Sequence, residues 1–339
     1  VMDMANDAYA ACEDADGMIC LGVFSAFGRS IADVLGIPMI NIEPTPLLPT
    51  RAFPAPSWPT QRNLGGWHNT VSGVAMLRVV WLWYQPFVNA FRERLGLPAL
   101  NGARFMAELR STPMISAYSP AIIPHPPDWP DTTHVTGYLF LDDVADWQPP
   151  ANLIAFLAAG PPPVYIGFGS MAGRKPEQLA TLAVDALNHC GQRGILLTGW
   201  GGLRTEATAQ EIFVAKSVPH SWLFPRMAAV VHHGGAGTTA EGLRAGVPTV
   251  IAPFVLDQPF WGARVKALGL GPDPISQKRL TADRLARAID EAMNEPAMKA
   301  RAHETGTTIR NEDGIGNAVS IVERYFGAPR AKSLESEQA

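Results

Sequence analysis

The sequence predicts an α/β protein with two doubly wound domains, and three observations support this class. Short apolar segments alternate with helix-like segments near the N-terminus, and the alternation resumes regularly from about residue 164. Strands and helices that alternate in this way build parallel sheets covered by helices. A proline-rich segment, WQPPANLIAFLAAGPPP, separates the two series and is typical of an interdomain linker. The 339 residues also suffice for two domains with separate cores.

Composition excludes several other classes of protein. Hydrophobic residues make up 47% of the chain, charged residues 17%, and the formal net charge is -4, so nothing favours nucleic-acid binding. The three cysteines are scattered without metal-ligand spacing, which predicts a reduced, cytoplasmic setting without disulfides. No apolar run approaches the ~20 residues that a membrane helix needs. We therefore expect a globular protein.

The first domain opens with a strand-helix-strand unit. GMICLGV and IPMINIE are predicted strands, and SAFGRSIADVLG between them is a predicted helix. Ser25 is the candidate N-cap of that helix, and Gly36 is its stop signal. The proline-rich, aromatic segment from Thr45 to Pro59 predicts a loop.

A longer helical segment follows, because apolar residues recur there at steps of three and four. Pro86 is expected to kink this helix or to start a second one. Two interpretations remain open: buried core helices, or the wall of a pocket for a bulky apolar ligand. In the second case, the aromatic residues Trp58, Trp81, Trp83 and Phe87 are the candidate lining. The stripe comprises Val74, Leu77, Trp81, Tyr84, Val88, Phe91 and Leu95.

The second domain shows regular alternation. Strands are predicted for VYIGFGS, GILLTG, IFVAKSV, AVVHH and PTVIAPF, and helices for PEQLATLAVDALNHC, TTAEGLRAG, QPFWGARVKALG and TADRLARAIDEAM, the last capped by Thr281. The loops at the carboxyl ends of parallel strands form the binding edge of such a sheet. Two domains that face each other across a linker would surround one cleft with these loops, which favours a transferase with one substrate per domain.

The segment HHGGAGTTAE lies between a strand and a helix and predicts an anion site. Gly235 and Gly237 let backbone N–H groups approach a phosphate, and Thr238 opens a helix whose positive dipole end favours it. Of His232 and His233, which point to opposite faces of the strand, His233 is expected to face the cleft and to donate to a diphosphate. A zinc site is not expected, because adjacent histidines cannot easily chelate one ion. A glycine turn required only for packing is the alternative.

Three polar residues beyond this turn suit a nucleotide sugar. Glu241 lies one helical turn after Thr238 and can accept both hydroxyls of a ribose, although a surface glutamate needs no such role. Asp257 and Gln258 follow a strand and together offer acceptors and donors to the vicinal hydroxyls of a sugar. The alternative interpretation is that Asp257 is the N-cap of the next helix.

Two further segments are weaker candidates. GFGSMA fits the dinucleotide-binding glycine spacing loosely and lacks the acidic residue at the end of the second strand, so Ser170 is expected to touch a phosphate or to line the cleft. Backbone groups at Val218 and the ring of Trp222 could recognise a nucleobase. Burial of Trp222 in the core is an equally good interpretation.

Taken together, VPHSWLFPRMAAVVHHGGAGTTAEGLRAGVPTVIAPF and DQPFWGARV resemble the nucleotide-sugar signature of the UDP-glycosyltransferase superfamily, and the sterol 3β-glucosyltransferase branch most closely. PPVYIGFGSM, GWGGL and LGLGPDPI extend the resemblance over about residues 140–295, and IPMINIEPTPLLPTRAFP resembles the family's acceptor domain. Trp261 stands where the plant-type signature has Asn, as in the sterol branch.

The resemblance implies a GT-B fold, in which two Rossmann-like domains face each other across a cleft. The corresponding domains are 1–145, an incomplete acceptor-binding domain, and 146–312, the donor domain. A helix over 313–326 is expected to pack back toward the N-terminal domain, and 327–339 is expected to be a disordered tail.

The implied activity is inverting, metal-independent transfer of a hexose, with glucose as the expected sugar, from a UDP-sugar to a hydroxyl of a lipophilic acceptor such as a sterol or polyketide. No cofactor beyond this co-substrate is implied, and a peripheral membrane contact stays open. On the basis of this resemblance, His233, Gly235, Gly237 and Thr238 would hold the diphosphate, Glu241 the ribose, and Asp257 with Gln258 the sugar. Ser170 is expected at the diphosphate from its own position after the glycines.

The sequence departs from the family in one respect. The family begins with a glycine-containing strand-turn, and its catalytic base comes from early loops of the N-terminal domain; the first residues here do not match that region. We therefore assign no catalytic base. Two competing hypotheses remain: a truncated, non-catalytic nucleotide-sugar binding protein, and a nicotinamide-dependent oxidoreductase that rests on the loose glycine spacing alone.

Overall fold

The computed structural model describes residues 2–141, 147–169, 176–197 and 211–327. These residues form two parallel β-sheets, each flanked by helices, so the predicted α/β class is confirmed. The first sheet has the order β1-β2-β3-β4 and the second the order β7-β6-β5-β8-β9. The strands are β1 Met18–Leu21, β2 Met39–Glu43, β3 Met114–Ser116, β4 Thr133–Val135, β5 Val164–Gly167, β6 Gly194–Leu197, β7 Ile212–Ala215, β8 Ala229–His232 and β9 Thr249–Ile251.

Helices cover both sheets and connect their strands. They are α1 Met2–Ala11, α2 Ser25–Leu35, α3 Gly66–Arg94, α4 Gly102–Ser111, α5 Ala151–Ala158, α6 Pro176–Cys190, α7 His220–Leu223, α8 Ala236–Ala245, α9 Gln258–Ala267, α10 Ala282–Asn294, α11 Pro296–Arg310 and α12 Gly314–Phe326. In the described part of the chain, no helix combines the length and the apolar character needed to cross a membrane.

Helix α2 begins differently from the prediction. A short 3-10 turn, Gly22–Phe24, runs directly into the helix, so Phe24 is the N-cap and Ser25 is already helical and buried. The predicted N-cap role of Ser25 is therefore wrong. The predicted stop is confirmed, since Gly36 adopts φ +65°, a left-handed conformation that glycine accepts without strain.

Helix α3 runs without interruption through Pro86, so no second helix begins there. Its apolar stripe faces inward as predicted: Leu77, Trp81, Val88 and Phe91 are buried. The Trp81 ring stacks on Phe105 of α4 with 4.6 Å between centroids. This stripe packs the long helix against α2 and α4.

The two sheets meet through α9 and α12. Thr45, just after β2, donates to Asp257 Oδ2 at 2.9 Å, and the Phe53 and Phe260 rings lie 5.6 Å apart. Helix α12 crosses back to the first sheet, where Ile321 packs in one apolar cluster with Ile40. The carboxyl-end loops of β2 and β9 are therefore in direct contact.

Candidate functional site

The turn between β8 and α8 depends on glycine at consecutive positions. Gly234 has φ +90°, a conformation that other residues rarely adopt. A Cβ on Gly235 would lie 2.6 Å from His233 Nε2, so only glycine lets the imidazole lie over the turn. Gly169, beyond β5, borders the same ring, since a Cβ there would lie 3.5 Å from His233 Cε1. The loops after β5 and β8 thus converge on His233.

The two adjacent histidines have different surroundings. His232 is fully buried, and its Nδ1 accepts from the Gly234 backbone N–H at 3.0 Å, which shapes the turn. His233 is half-buried, and its Nδ1 has no hydrogen-bond partner within the described ranges. Burial lowers the pKa of His233, although the Asp257 carboxylate opposes the shift. The imidazole is therefore neutral at pH 7, with one N–H available to donate.

The start of α8 leaves room for an anion. Gly235 is the N-cap residue, and the first turn comprises Ala236, Gly237 and Thr238. No heavy atom lies within 4 Å of the position of a Cβ on Gly237, so the space beside this turn is open. The backbone N–H groups of a first turn lack intrahelical partners and carry the positive end of the helix dipole. The predicted diphosphate residues other than Ser170 therefore lie together, while Ser170 is outside the described residues.

Glu241 borders the same opening from the next turn of the helix. Gly237 and Glu241 line a cavity of about 310 Å³ together with Pro44 and Tyr138 of the first domain. The Glu241 carboxylate is paired with Arg244, at 3.0 Å from Nη2, and Arg244 lies over the Phe140 ring. The pair holds a carboxylate at the edge of the interdomain cleft, where it can accept hydroxyl donors.

Asp257 occupies the N-cap position of α9, as the alternative interpretation predicted, but its side chain makes no cap hydrogen bond. Its Oδ2 instead accepts from Thr45 Oγ1 and from Trp261 Nε1, each at 2.9 Å, and so bridges the domains. Both hydrogen bonds use one oxygen, which fixes the carboxylate and leaves Oδ1 as a further acceptor.

Gln258 is more deeply placed than the sequence suggested. It is buried, and its Oε1 accepts from the backbone N–H groups of Phe254 and Val255 at 2.8 and 3.1 Å. The amide oxygen thus ties the loop after β9 into its shape. Only the Nε2 group, which has no partner in the described part of the chain, is left to donate to a ligand.

The candidate nucleobase residues allow both of their interpretations. Val218 is buried in an apolar cluster below α7. Trp222 is half-buried, with Trp147 edge-on at 5.0 Å and the Arg226 guanidinium 4.2 Å above its ring. Trp222 also lines a cavity of about 860 Å³ with Glu241 and Arg244. The ring therefore contributes both to packing and to a surface near Glu241.

A third cavity, largely apolar and of about 310 Å³, lies in the first domain, against α3. Trp81 lines it, as predicted. Trp83 and Phe87 lie outside it, 62% and 39% exposed on another face of α3, and Trp58 packs edge-on to His68 instead of bordering the cavity. The predicted lining was wrong for these three residues, because the cavity follows the buried stripe. Its apolar wall includes Met76, Leu77, Val80, Tyr84, Val88 and Leu109.

Sequence reasoning missed the polar end of this cavity. Glu43, Thr45 and Asp257 line it there, and Glu43 is 5% exposed with no hydrogen-bond partner for Oε1 in the described residues. Burial raises the pKa of Glu43 to about 8, although the Gly22 backbone N–H opposes the shift. The available signal was an acidic residue at the carboxyl end of a largely apolar strand.

Comparison with known proteins agrees with this geometry. Residues 202–313 match the C-terminal domain family of erythromycin biosynthesis protein CIII-like proteins. The sterol 3-beta-glucosyltransferase UGT80B1 of Arabidopsis thaliana is 38% identical over 306 residues, which cover 89% of this chain and 49% of that protein. A sterol 3-beta-glucosyltransferase of Aspergillus clavatus is 35% identical over 350 residues, covering 99% of this chain and 24% of that protein.

Solved structures show the fold. The glycotransferase of kitacinnamycin superposes with a TM-score of 0.71 at 22% identity, and the match covers 96% of this chain and 80% of that one. The calicheamicin glycosyltransferase CalG4 superposes with a TM-score of 0.65 at 16% identity, and the match covers 96% of this chain and 77% of that one. The predicted GT-B fold and the resemblance to the sterol-glucosyltransferase branch of the UDP-glycosyltransferase superfamily are confirmed. The chain spans about half the length of the plant relatives and about a quarter of the fungal ones.

Proposed function

We propose that this chain binds a UDP-sugar at the carboxyl edge of its second sheet and transfers the hexose, with inversion and without a metal, to the hydroxyl of a lipophilic alcohol. The observation that carries the proposal is the open N-terminus of α8 beside His233, directly across from the Asp257 loop. The sterol 3-beta-glucosyltransferase names of its relatives favour glucose as the sugar and a sterol-like acceptor.

The diphosphate would bind at the first turn of α8. The N–H groups of Gly237 and Thr238 and the neutral imidazole of His233 are donors there, and none of them loses a proton in the process. In the transfer step, the bond between the anomeric carbon and the diphosphate oxygen breaks with its electron pair on that oxygen. Preorganised donors are most effective where such charge develops, so this turn would stabilise the leaving UDP without a metal ion.

The sugar and the ribose would be held on either side of this turn. Asp257 Oδ1 and the Gln258 Nε2 group offer an acceptor and a donor to sugar hydroxyls, and Glu241 offers a carboxylate to the ribose. The acceptor oxygen would attack the anomeric carbon from the face opposite the diphosphate, which inverts the configuration. The base that takes the acceptor proton is not assigned.

Calorimetric titration of the purified chain with UDP, UDP-glucose and NAD tests the donor half of the proposal. We expect binding of UDP and UDP-glucose, unchanged by EDTA, and none of NAD. A transfer assay with UDP-[¹⁴C]glucose and lipophilic alcohols then tests catalysis. Absence of UDP binding would overturn the proposed function, whereas UDP binding without transfer would reduce it to nucleotide-sugar binding.

A further inference from the structure

The acceptor cavity has one polar end, and Glu43 is its only carboxyl group besides Asp257 among the described lining residues. The rest of the wall is built mainly by α3 and α4, from Met76, Val80 and Trp81 to Phe105 and Leu109. A volume of about 310 Å³ lies at the small end of the ~300–1,000 Å³ typical of small-molecule sites, which combine apolar walls with a few polar groups that fix orientation.

The position of the Glu43 carboxyl is fixed from two sides. Glu43 ends β2, and its carbonyl oxygen accepts from the Ala117 backbone N–H at 2.7 Å. A Cβ on Gly22 would lie only 1.2 Å from Glu43 Oε1, so the carboxyl occupies the space that a side chain at position 22 would fill. The group is thus held at the carboxyl edge of the first sheet, facing the cavity.

The carboxyl is incompletely paired, which is costly for a buried polar group. Oε1 has no hydrogen-bond partner among the described residues, and Glu43 is only 5% exposed to solvent. Burial raises the pKa of Glu43 to about 8, so the group is a neutral carboxylic acid at pH 7. A neutral carboxylic acid can donate one hydrogen bond and can also accept, and an alcohol hydroxyl can do both as well.

The neighbours of Glu43 relate this end of the cavity to the donor. Thr45 and Asp257 line the same end, and Asp257 is the residue proposed above to hold the sugar. An alcohol that binds with its apolar skeleton along α3 and its hydroxyl at Glu43 would place the nucleophilic oxygen beside the bound sugar. The opposite orientation would leave both the carboxyl and the hydroxyl unpaired in apolar surroundings.

We propose that Glu43 binds the hydroxyl of the lipophilic acceptor at the polar end of this cavity, and that it thereby selects alcohols over equally apolar molecules and sets their orientation. This assignment rests on the proposed function for the identity of the ligand as an acceptor. Glu43 is here a binding and positioning residue, and the proton transfer is not assigned to it.

The test measures equilibrium binding without any donor. 5α-Cholestan-3β-ol and 5α-cholestane differ only in the hydroxyl, and both can be delivered to the purified chain from methyl-β-cyclodextrin. We expect the wild type to bind the alcohol at least tenfold more tightly than the alkane. In Glu43→Leu the ratio of the two affinities, alcohol over alkane, should fall to about one through weaker binding of the alcohol. Glu43→Gln still donates and accepts hydrogen bonds and should retain part of the preference for the alcohol.

Val80→Ala is the matched control, because Val80 lines the apolar wall of the same cavity. It should weaken both ligands by a similar factor and leave their ratio unchanged. The unfolding midpoint of each variant shows whether it folds. If Glu43→Leu does not fold, Glu43→Gln alone decides the test. An unchanged ratio in both Glu43 variants, a wild-type ratio near one, or no binding of either steroid would overturn the assignment.

The outcomes separate this inference from the proposed function. Binding of UDP with no effect of Glu43 on the steroid ratio would overturn the role of Glu43 and leave the donor site intact. Loss of the ratio in Glu43→Leu without any UDP binding would instead support a lipophilic-alcohol site and overturn the glycosyltransferase.

Discussion

The proposed donor and acceptor sites of this protein are built in opposite ways. The proposed donor site is made mainly of backbone N–H groups, a neutral imidazole and fixed carboxylates, and nearly all of it lies between His232 and Trp261. The proposed acceptor cavity is a wall of apolar side chains with one buried carboxyl, assembled from residues between Leu21 and Leu109 and closed by Leu256 and Asp257. The first arrangement suits a charged ligand, and the second suits an apolar one.

The difference predicts that the two sites tolerate substitution differently. Every residue type other than proline supplies a backbone N–H donor. What the turn between β8 and α8 requires is residues small enough to leave room for the ligand and for the His233 ring, above all glycines. The apolar wall depends on the volume and contacts of each side chain, since interiors are close-packed. Substitutions should therefore act on the donor site through ligand affinity and on the acceptor cavity first through stability.

The largest expected effect is on the acceptor side. Trp81 is 5% exposed and stacks on Phe105, so Trp81→Ala should lower the free energy of unfolding by about 3–5 kcal/mol. Trp83, two positions on, is exposed, and Trp83→Ala should cost less than about 1 kcal/mol. Urea unfolding measures both. Similar losses for the two variants would show that the wall does not follow the buried stripe.

Next is a pair of glycines on the donor side. Gly235→Ala places a methyl group 2.6 Å from His233 Nε2, so the imidazole must move, and UDP affinity should fall by about a hundredfold, roughly 2.7 kcal/mol. In Gly237→Ala the new methyl group has no heavy atom within 4 Å and the backbone N–H is kept, so UDP affinity should fall by less than about tenfold. Titration calorimetry compares them. A larger loss in Gly237→Ala would contradict the role of the His233 position.

The pH dependence of stability should have opposite signs in the two domains. Burial raises the pKa of Glu43 from 4.5 to about 8, so folding takes up a proton, and stability falls as pH rises through this window, by up to about 1.4 kcal/mol per unit. Burial lowers the pKa of His220 from 6.5 to about 4, so stability falls as pH drops through that window.

Between about pH 4.5 and 6.5, Glu43 and His220 change the free energy of unfolding in opposite directions as the pH rises. Variants of the two residues separate these contributions. Glu43→Gln should remove the decline between pH 6.5 and 8 and expose a rise in stability from pH 4.5 to 6.5. His220→Asn should steepen the decline between pH 4.5 and 6.5 and leave the decline between pH 6.5 and 8 unchanged. Thermal unfolding at half-unit pH steps checks both, and identical profiles for wild type and Glu43→Gln would show that Glu43 is not buried as described.

A smaller effect is expected at the ribose. Glu241→Gln replaces the carboxylate that would accept ribose hydroxyls, so the preference for UDP over 2′-deoxy-UDP should fall by about fivefold, roughly 1 kcal/mol. Glu304→Gln, an exposed glutamate on α11, is the control and should leave the preference unchanged. If the preference survives in Glu241→Gln, the ribose lies elsewhere.

The same contrast decides what could be predicted from the sequence. The donor residues are close together in the chain, so strand, glycine turn and helix could be recognised from His233 to Glu241 without knowing the fold. Periodicity likewise located the buried stripe of α3. The polar end of the proposed acceptor cavity is lined by both Glu43 and Asp257, which come from different domains, and no local sequence pattern records that they share a cavity.

Two errors have specific physical causes. Ser25 has the right side chain for an N-cap, but the 3-10 turn before it already supplies the preceding helical turn. Trp83 and Phe87 are aromatic candidates for the lining, but the helical spacing places them on a different face from Trp81 and Tyr84. Side-chain type was a poorer guide than position on the helix.

The central claim is that α8 binds the diphosphate while the Asp257 loop binds the sugar, and Asp257→Asn tests it most directly. Titrated with both ligands, this variant should bind UDP-glucose at least tenfold more weakly than wild type and UDP within about threefold of it. Thr45→Val removes the hydroxyl that donates to Asp257 but keeps the carboxylate, and should change neither ligand by more than about threefold. Equal losses for UDP and UDP-glucose in Asp257→Asn, or no loss for either, would contradict the account.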